Sequence, residues 1–510
     1  MTDLQLVVPM TGVGQRFVDA GFLELKPLIK IAGETIISHV MKMYPSIADP
    51  VFIISNNHPQ RELLKMELKT LRPDAKIIEI DPHKLGPSYA VWQVREQLDL
   101  SRPTIINYCD FGGIWDLSKM EAALEKNDGA ILTYTGFHPH MLRNTEYAYV
   151  KTDENGHVTE IQEKKSFTDD PFSEEASAGT YGFATGDLLI RAIAKQIHRG
   201  ISLKNEFYTS LTYKPLIEEG RKIVCVEMDK FFQWGTPEDL RDWIYWRDAV
   251  NEMTNYRPAV DEVLGSTVIL AAGRGSRLAV IGSTPKPLVP VGKFLLWEYS
   301  GLCATQNKES VVVTRENLVP VENRLDVQTM ILSEVSQGQA ITAKIGINLI
   351  NNTNEPVTVL SCDNVIFQRN LAEAHEYAKR MDVVVWTARN YPPSLVNPSQ
   401  YSWISGLESY SRKVWLKQEP DFKQEPQLII GNFTFKNKKL GLTLISHLEN
   451  RDIRINDEFY LDSLITLAQE MGYTVGVMDC SNFFAIGSEN EIQTFHYWEK
   501  IAADYVFADK

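Results

Sequence analysis

Two stretches of the chain hold residue types and spacings suited to phosphate chemistry. Near the start, VVPMTGVGQRF is followed by LELKPLIKIAG; past the midpoint, VILAAGRGSRL is followed by STPKPLVPVG. In each, an apolar, strand-like run ends in Gly-x-Gly-x-Arg and then reaches Lys-Pro-Leu. Arg16 and Lys26 are ten residues apart, and Arg277 and Lys286 nine. Gly12 and Gly14, and Gly273 and Gly275, let backbone N–H groups approach phosphate oxygens closely. The arginine and lysine add positive charge, so each loop suits a polyphosphate. Taken alone, either loop also reads as a tight turn. Neither is the dinucleotide form G-x-G-x-x-G with an acidic residue about 20 further on, nor a Walker A loop, because no G-K-[ST] follows.

The two stretches open a longer repeat. LGPSYAVWQV at Gly86 pairs with QGQAITAKIG at Gln337 and Gly338, and INYCDF at Asp110 with LSCDNV at Asp363. Lys164 lies 54 residues after Asp110, and Lys417 lies 54 after Asp363. SAGTYGF at Gly179 pairs with IIGNFTF at Gly431. NEFYTSL at Glu206 pairs with DEFYLDS at Glu458, and FFQWGTPED at Gly235 with FFAIGSENE at Gly487; both of these pairs are offset by 252. A Tyr-Trp doublet recurs as Tyr245-Trp246 and Tyr497-Trp498, read as helix packing against a sheet. A register held over so many landmarks marks a duplicated domain of roughly 250 residues, too long a period for a solenoid.

The elements that must position these residues follow from the pattern. Short apolar runs (QLVVPM, PVFIISN, AKIIEI, TIINYC, AILTYTG) alternate with amphipathic stretches. That order predicts an α/β fold of two tandem Rossmann-like, three-layer αβα domains, each with a mostly parallel mixed sheet. The domains are expected over 1–255 and 266–510, with a linker at 256–265 inside NYRPAVDEVLGS. In such sheets ligands bind beyond the C-terminal strand ends, where both the glycine loops and the Cys-Asp pairs fall.

The 510 residues carry a net charge of −14, which argues against non-specific nucleic-acid binding or docking on anionic membranes. No apolar run reaches the ~18 residues of a membrane span, and MTDLQLVVPM has no signal-peptide pattern. The five cysteines have no C-x-x-C pair and read as reduced residues, mostly in buried strands. A cytoplasmic protein is expected, with no nucleic-acid or membrane partner; a homo-oligomer stays open.

Strand–GxGxR[FL]–KPL, a strand ending in Asp, a Glu-Lys pair, G-x-Y-x-F and a late GTPED together resemble the sugar-1-phosphate nucleotidyltransferase family, once per half. The first half is similar to capsule-type members; the second is also similar to phosphocholine and phosphonate cytidylyltransferases. The resemblance implies joining an NTP to a sugar-1-phosphate or phosphoalcohol with release of pyrophosphate, in surface polysaccharide or related glycoconjugate synthesis. It implies Arg16, Lys26, Arg277 and Lys286 at the NTP phosphates, with Gly12, Gly14, Gly86, Gly273, Gly275, Gln337 and Gly338 around the nucleotide. Asp110 and Asp363 would hold Mg²⁺, although a helix cap is the ordinary role of a strand-end Asp. Lys164 and Lys417 would clamp the acceptor phosphate, and Glu163 would take sugar hydroxyls. Gly179, Glu206, Gly431 and Glu458 would lie near the acceptor; a helix N-terminal carboxylate is an equal reading of the two glutamates.

The halves depart from the family pattern unequally. Its second metal carboxylate is Gln233 in the first half and Ala485 in the second. Leu416 replaces the sugar-binding Glu, and GTPED becomes GSENE. Leu25 stands where proline usually precedes the lysine. Three readings follow: both halves active on different acceptors, the first half active with the second a regulatory nucleotide-binding module, or a metal-dependent glycosyltransferase. The third lacks its Asp-x-Asp.

Overall fold

The computed structural model describes residues 4–143, 146–255, 263–273, 284–304, 307–318, 327–366, 371–406, 410–480 and 483–504. Gly275, Arg277 and most of the expected linker lie outside the described residues. The chain divides into two compact units, over Met1–Ile244 and Tyr245–Val506.

The first unit is organised by the strand Gln5–Met10, which runs parallel to Val51–Ser55 on one side and Thr104–Asn107 on the other. Lys76–Ile80 extends the sheet, parallel to Val51–Ser55. Glu175–Phe183 joins antiparallel to Thr104–Asn107 and Gly129–Tyr134, and Ile223–Glu227 adds in parallel beside the latter. All six residues of Gln5–Met10 are buried, as a strand covered on both faces must be. Val7 packs with Ala90 and Val91 of the helix Pro87–Gln93, while Leu6 and Val8, equally buried, take the other face. The helix Ile36–Lys42 buries Ile36, Ile37 and Val40 and starts at Thr35, whose hydroxyl accepts from Ser38 N–H.

The second unit repeats this order. Gln328–Leu332, Asn307–Arg315, Val263–Ala271 and Val357–Ser361 pair in parallel. Gln427–Phe435 then pairs antiparallel to Val357–Ser361 and Val383–Ala388, and Val475–Asp479 parallels the latter. Alternate residues of one strand enter different cores. Val268 and Leu270 pack with Ala343 and Ile347 of the helix Gln339–Leu349; Ile269 and Ala271 pack with Trp297 of the helix Leu296–Ala304. The result is the three-layer αβα arrangement.

Two details differ from the sequence expectation. Of the cysteines only Cys225 lies inside a described strand; Cys109, Cys362 and Cys480 lie just after strand ends. The Tyr-Trp doublets do sit on helices, Pro237–Asn255 and Glu489–Asp504. Trp246, however, packs on Tyr391 and Phe484 within the second unit.

Gly86 and Gly338 hold equivalent joints. Each has positive φ, 87° and 129°, and each lies flat on another loop. A Cβ would meet the backbone nitrogen of Phe207 at 2.7 Å in one half and that of Phe459 at 2.6 Å in the other. The paired loops exchange backbone hydrogen bonds, Phe207 N to Leu85 O and Phe459 N to Gln337 O. Gly86→Ala and Gly338→Ala should each destabilise their unit by roughly 1–3 kcal/mol or more. Denaturant unfolding of the two variants measures this; an unchanged midpoint in either would show that the joint can relax.

Candidate active sites at the strand ends

In each half three distant segments converge on one carboxylate. Beyond the strand Thr104–Asn107, the Asp110 carbonyl accepts from Trp234 N–H at 3.1 Å. The short hairpin partner Lys230–Gln233 sets Gln233 opposite Phe111. Lys26 Nζ then donates to Asp110 Oδ2 and to the Gly235 carbonyl, both at 2.7 Å. The second half repeats the arrangement: Ile486 N–H to Asp363 O at 2.8 Å, Ala485 opposite Asn364, and Lys286 Nζ to Asp363 Oδ2 at 2.7 Å. The late glycines keep room beside these carboxylates. A Cβ on Gly235 would lie 3.7 Å from Asp110 Oδ2 and strike Gln233 Nε2 at 2.3 Å. A Cβ on Gly487 would lie 3.7 Å from both Asp363 Oδ2 and Lys286 Nζ.

In the first half these groups face a cavity of about 390 Å³. It collects Gly14, Arg16, Lys26, Asp110, Glu163, Lys164 and Gly179 from the expected site, together with Gln233 and four tyrosines, Tyr108, Tyr147, Tyr181 and Tyr208. Gly179 has φ 101° and sits where the pairing register of Glu175–Phe183 shifts. That bulge bends the strand around the cavity. Its counterpart Gly431 has φ 77°.

Lys164 and Lys417 both adopt left-handed backbone conformations, φ 56° and 50°. Such a conformation is costly for a residue with a Cβ, and its recurrence at one register position points to a site that needs it. Lys164 Nζ lies 4.8 Å from the Tyr208 ring centre and Lys417 Nζ 5.8 Å from that of Tyr460, within cation–π range. Lys417 Nζ also donates to Gln400 O at 3.0 Å.

Gly12, Gly86 and Glu206 are not among the residues lining this first-half cavity. Gly12 approaches His58, and the Gly273 carbonyl accepts from Arg315 at 2.9 Å. Glu206 and Glu458 turn equivalent loops, with backbone bonds Glu206 N to Leu203 O and Glu458 N to Ile455 O. GSENE keeps the architecture of GTPED. Thr236 and Asp239 bond each other at the head of one helix, and Ser488 and Glu491 do so in the other.

Glu146, which lies in no motif, holds the Arg16 guanidinium through two bonds of 2.7 and 3.1 Å. Arg16 must exchange this carboxylate for any phosphate it binds. Arg143 sits between Asp239 at 2.6 Å and Asp242 at 2.7 Å. Asp239 closes GTPED, but no motif or repeat spacing marks Arg143, Asp242 or Glu146, and the partners lie 96 to 130 residues apart in sequence.

For a magnesium ion, Asp110 and Asp363 are the strand-end carboxylates that would be offered, one in each half. The second position offers an amide oxygen in Gln233 and only a methyl in Ala485. Among the described residues no three His, Cys, Asp or Glu side chains group as a metal site. A cation that keeps most of its waters and leans on substrate phosphates suits so sparse a donor set.

Residues 7–251 match the nucleotidyl transferase family model and residues 267–420 the MobA-like NTP transferase domain model. Each half thus matches a nucleotidyltransferase model, so the chain carries two nucleotidyltransferase copies in tandem. The bifunctional protein GlmU of Burkholderia mallei strain SAVP1 is 26% identical over 238 residues, covering 46% of this chain and 48% of that protein. The chain thus spans about half the length of the curated relatives it matches. The nucleoside-diphosphate-sugar pyrophosphorylase of Vibrio cholerae RC9 aligns at 18% identity and TM-score 0.40, over 47% of this chain and 99% of that one. The CTP:phosphocholine cytidylyltransferase of Streptococcus pneumoniae aligns at 13% identity and TM-score 0.37, over 47% and 96%. Among the described residues no helix is long and apolar enough to cross a membrane.

Burial pushes the Glu163 carboxyl up to about 7; the Ser210 hydroxyl, which donates to it, and Lys164 act against that rise, while Glu206 adds to it. The folded state therefore holds this proton between about 4.5, the ordinary value, and about 7. Its contribution to stability is fully present below about 4.5 and lost as pH rises through about 7. Denaturant titrations of wild type and Glu163→Gln across this window should show stability falling more steeply with pH in wild type. Parallel profiles would contradict the burial assignment.

Proposed function

We propose that both halves transfer a nucleotidyl group from an NTP to a phosphorylated acceptor, releasing pyrophosphate, and that their acceptors differ. The observation that carries this reading is the repeated Lys–Asp pair at a strand end, with a left-handed lysine at the same register in each half. In the first half the acceptor is a sugar-1-phosphate, with Glu163 receiving its hydroxyls. An acceptor phosphate oxygen attacks the α-phosphorus in line. A new P–O bond forms as the bond to the pyrophosphate oxygen breaks, and the electron pair leaves with pyrophosphate.

The chain's work is positioning and charge neutralisation. Lys164 holds the acceptor phosphate as a point charge. Lys26 leans on the departing phosphates, and Arg16 joins it after releasing Glu146. Backbone N–H groups of the Gly12–Gly14 loop take further phosphate oxygens. In the second half Lys286 and Lys417 fill the corresponding roles. Asp110 and Asp363 would hold magnesium, which when bound offsets phosphate charge. A role in surface polysaccharide or related glycoconjugate synthesis, in the cytoplasm, fits this chemistry.

Pyrophosphate release should be followed for each NTP against sugar-1-phosphates and phosphoalcohols. Asp110→Ala should abolish release with sugar-1-phosphates and leave a residual activity with another acceptor, which Asp363→Ala removes. Full activity in Asp110→Ala would refute the assignment. No effect of Asp363→Ala on turnover, alongside a change in its response to product, would make the second half regulatory. Hydrolysis of a nucleotide-sugar without pyrophosphate release would favour a glycosyltransferase.

A further inference from the structure

The second half does not simply lose the carboxylate that Leu416 replaces. In the first half Glu163 lines the cavity and receives the Ser210 hydroxyl. Ser210 and Asp462 are equivalent in the NEFYTSL and DEFYLDS segments. One position therefore trades Glu for Leu while its bonded neighbour trades Ser for Asp.

The surroundings of Asp462 include the left-handed lysine of the second half. Asp462 follows Tyr460, over whose ring Lys417 sits at 5.8 Å. The Lys417 charge and a hydrogen bond from Ser402 both act on its carboxyl, against burial, which raises its pKa. Ser402 Oγ in turn lies 3.4 Å from Lys417 N, tying the carboxylate to the left-handed lysine. The residue is 6% exposed, yet its Oδ1 has no hydrogen-bond partner among the described residues.

Helix capping does not account for it. Asp462 is the first flanking residue of the helix Ser463–Glu470, but its side chain makes no capping hydrogen bond. A buried carboxylate oxygen without a donor costs stability, and such sites are retained where function requires them.

We propose that Asp462 is the acceptor-selecting carboxylate of the second half, and that it takes a phosphorylated small alcohol bearing an O–H or N–H donor away from its phosphate. The Lys417 ammonium grips the phosphate while Asp462 Oδ1 accepts from that donor. Moving the carboxylate from the strand end to the helix start changes where the donor must lie, so the two halves discriminate between acceptors. This inference rests on the second half being a nucleotidyltransferase.

The test uses the full chain carrying Asp110→Ala, so that pyrophosphate release reports the second half. Acceptors are phosphoethanolamine, with an ammonium donor, glycerol 3-phosphate, with hydroxyl donors, and ethyl phosphate, with neither. KM should be lower by roughly tenfold or more for at least one donor-bearing acceptor, the scale expected when a site's polar group is left unpaired. The first two acceptors separate an ammonium from a hydroxyl as the group read. Adding Asp462→Ser should raise that KM toward the ethyl phosphate value and not lower the melting temperature. A donor preference that survives Asp462→Ser, or a lowered melting temperature with the preference intact, would overturn the proposal and make Asp462 structural. Pyrophosphate release without any donor preference would overturn this inference alone. No release with any acceptor would overturn the catalytic reading of the second half, and this inference with it.

Discussion

Lys26 Nζ and Asp110 Oδ2 lie 2.7 Å apart, and Lys286 Nζ and Asp363 Oδ2 repeat that distance. The lysine side chains are only 16% and 14% exposed, so each charge has given up much of its water and needs its partner. The contact links a Lys-Pro-Leu turn near the beginning of each domain to the end of a central strand, and in the first half also to the late Gly235. The same contact puts positive charge at the mouth where a polyphosphate would lie. A phosphate that draws the lysine toward itself frees the carboxylate for a cation.

Around this shared pair the halves diverge by exchanging a few side chains on a common backbone. Left-handed lysines, flattened glycine joints and capped late helices recur. The side chains beside the left-handed lysine and the late glycine do not. Glu163 and Ser210 become Leu416 and Asp462, and Gln233 becomes Ala485. Conservation of backbone strain with replacement of side chains is what a common phosphate geometry with different acceptors requires.

Much of this order is legible in the chain because it is periodic or local. Strands buried on both faces read as continuous apolar runs, and the duplicated register identifies Asp110 with Asp363 and Lys164 with Lys417 before any coordinates. The Arg16–Glu146 pair and the clasp of Arg143 by Asp239 and Asp242 are not legible, because Glu146, Arg143 and Asp242 lie in no motif and their partners are far away in sequence. The Asp462 exchange lies in the repeat but cannot be recognised from it alone. Leu416 looks like a loss when positions are compared singly. Only the bond between Ser210 and Glu163 shows that two positions must be compared together. Gly86 and Gly338 carry a constraint that no motif shows: the fold brings the backbone of another loop against each of them.

The central claim is that each half is a nucleotide site in its own right. Equilibrium titration of the full chain with a non-hydrolysable NTP, in the presence of magnesium, tests it most directly. The account predicts two nucleotides bound per chain, falling to one in either Lys26→Ala or Lys286→Ala. A single nucleotide per chain in the wild type, unaffected by Lys286→Ala, would contradict it.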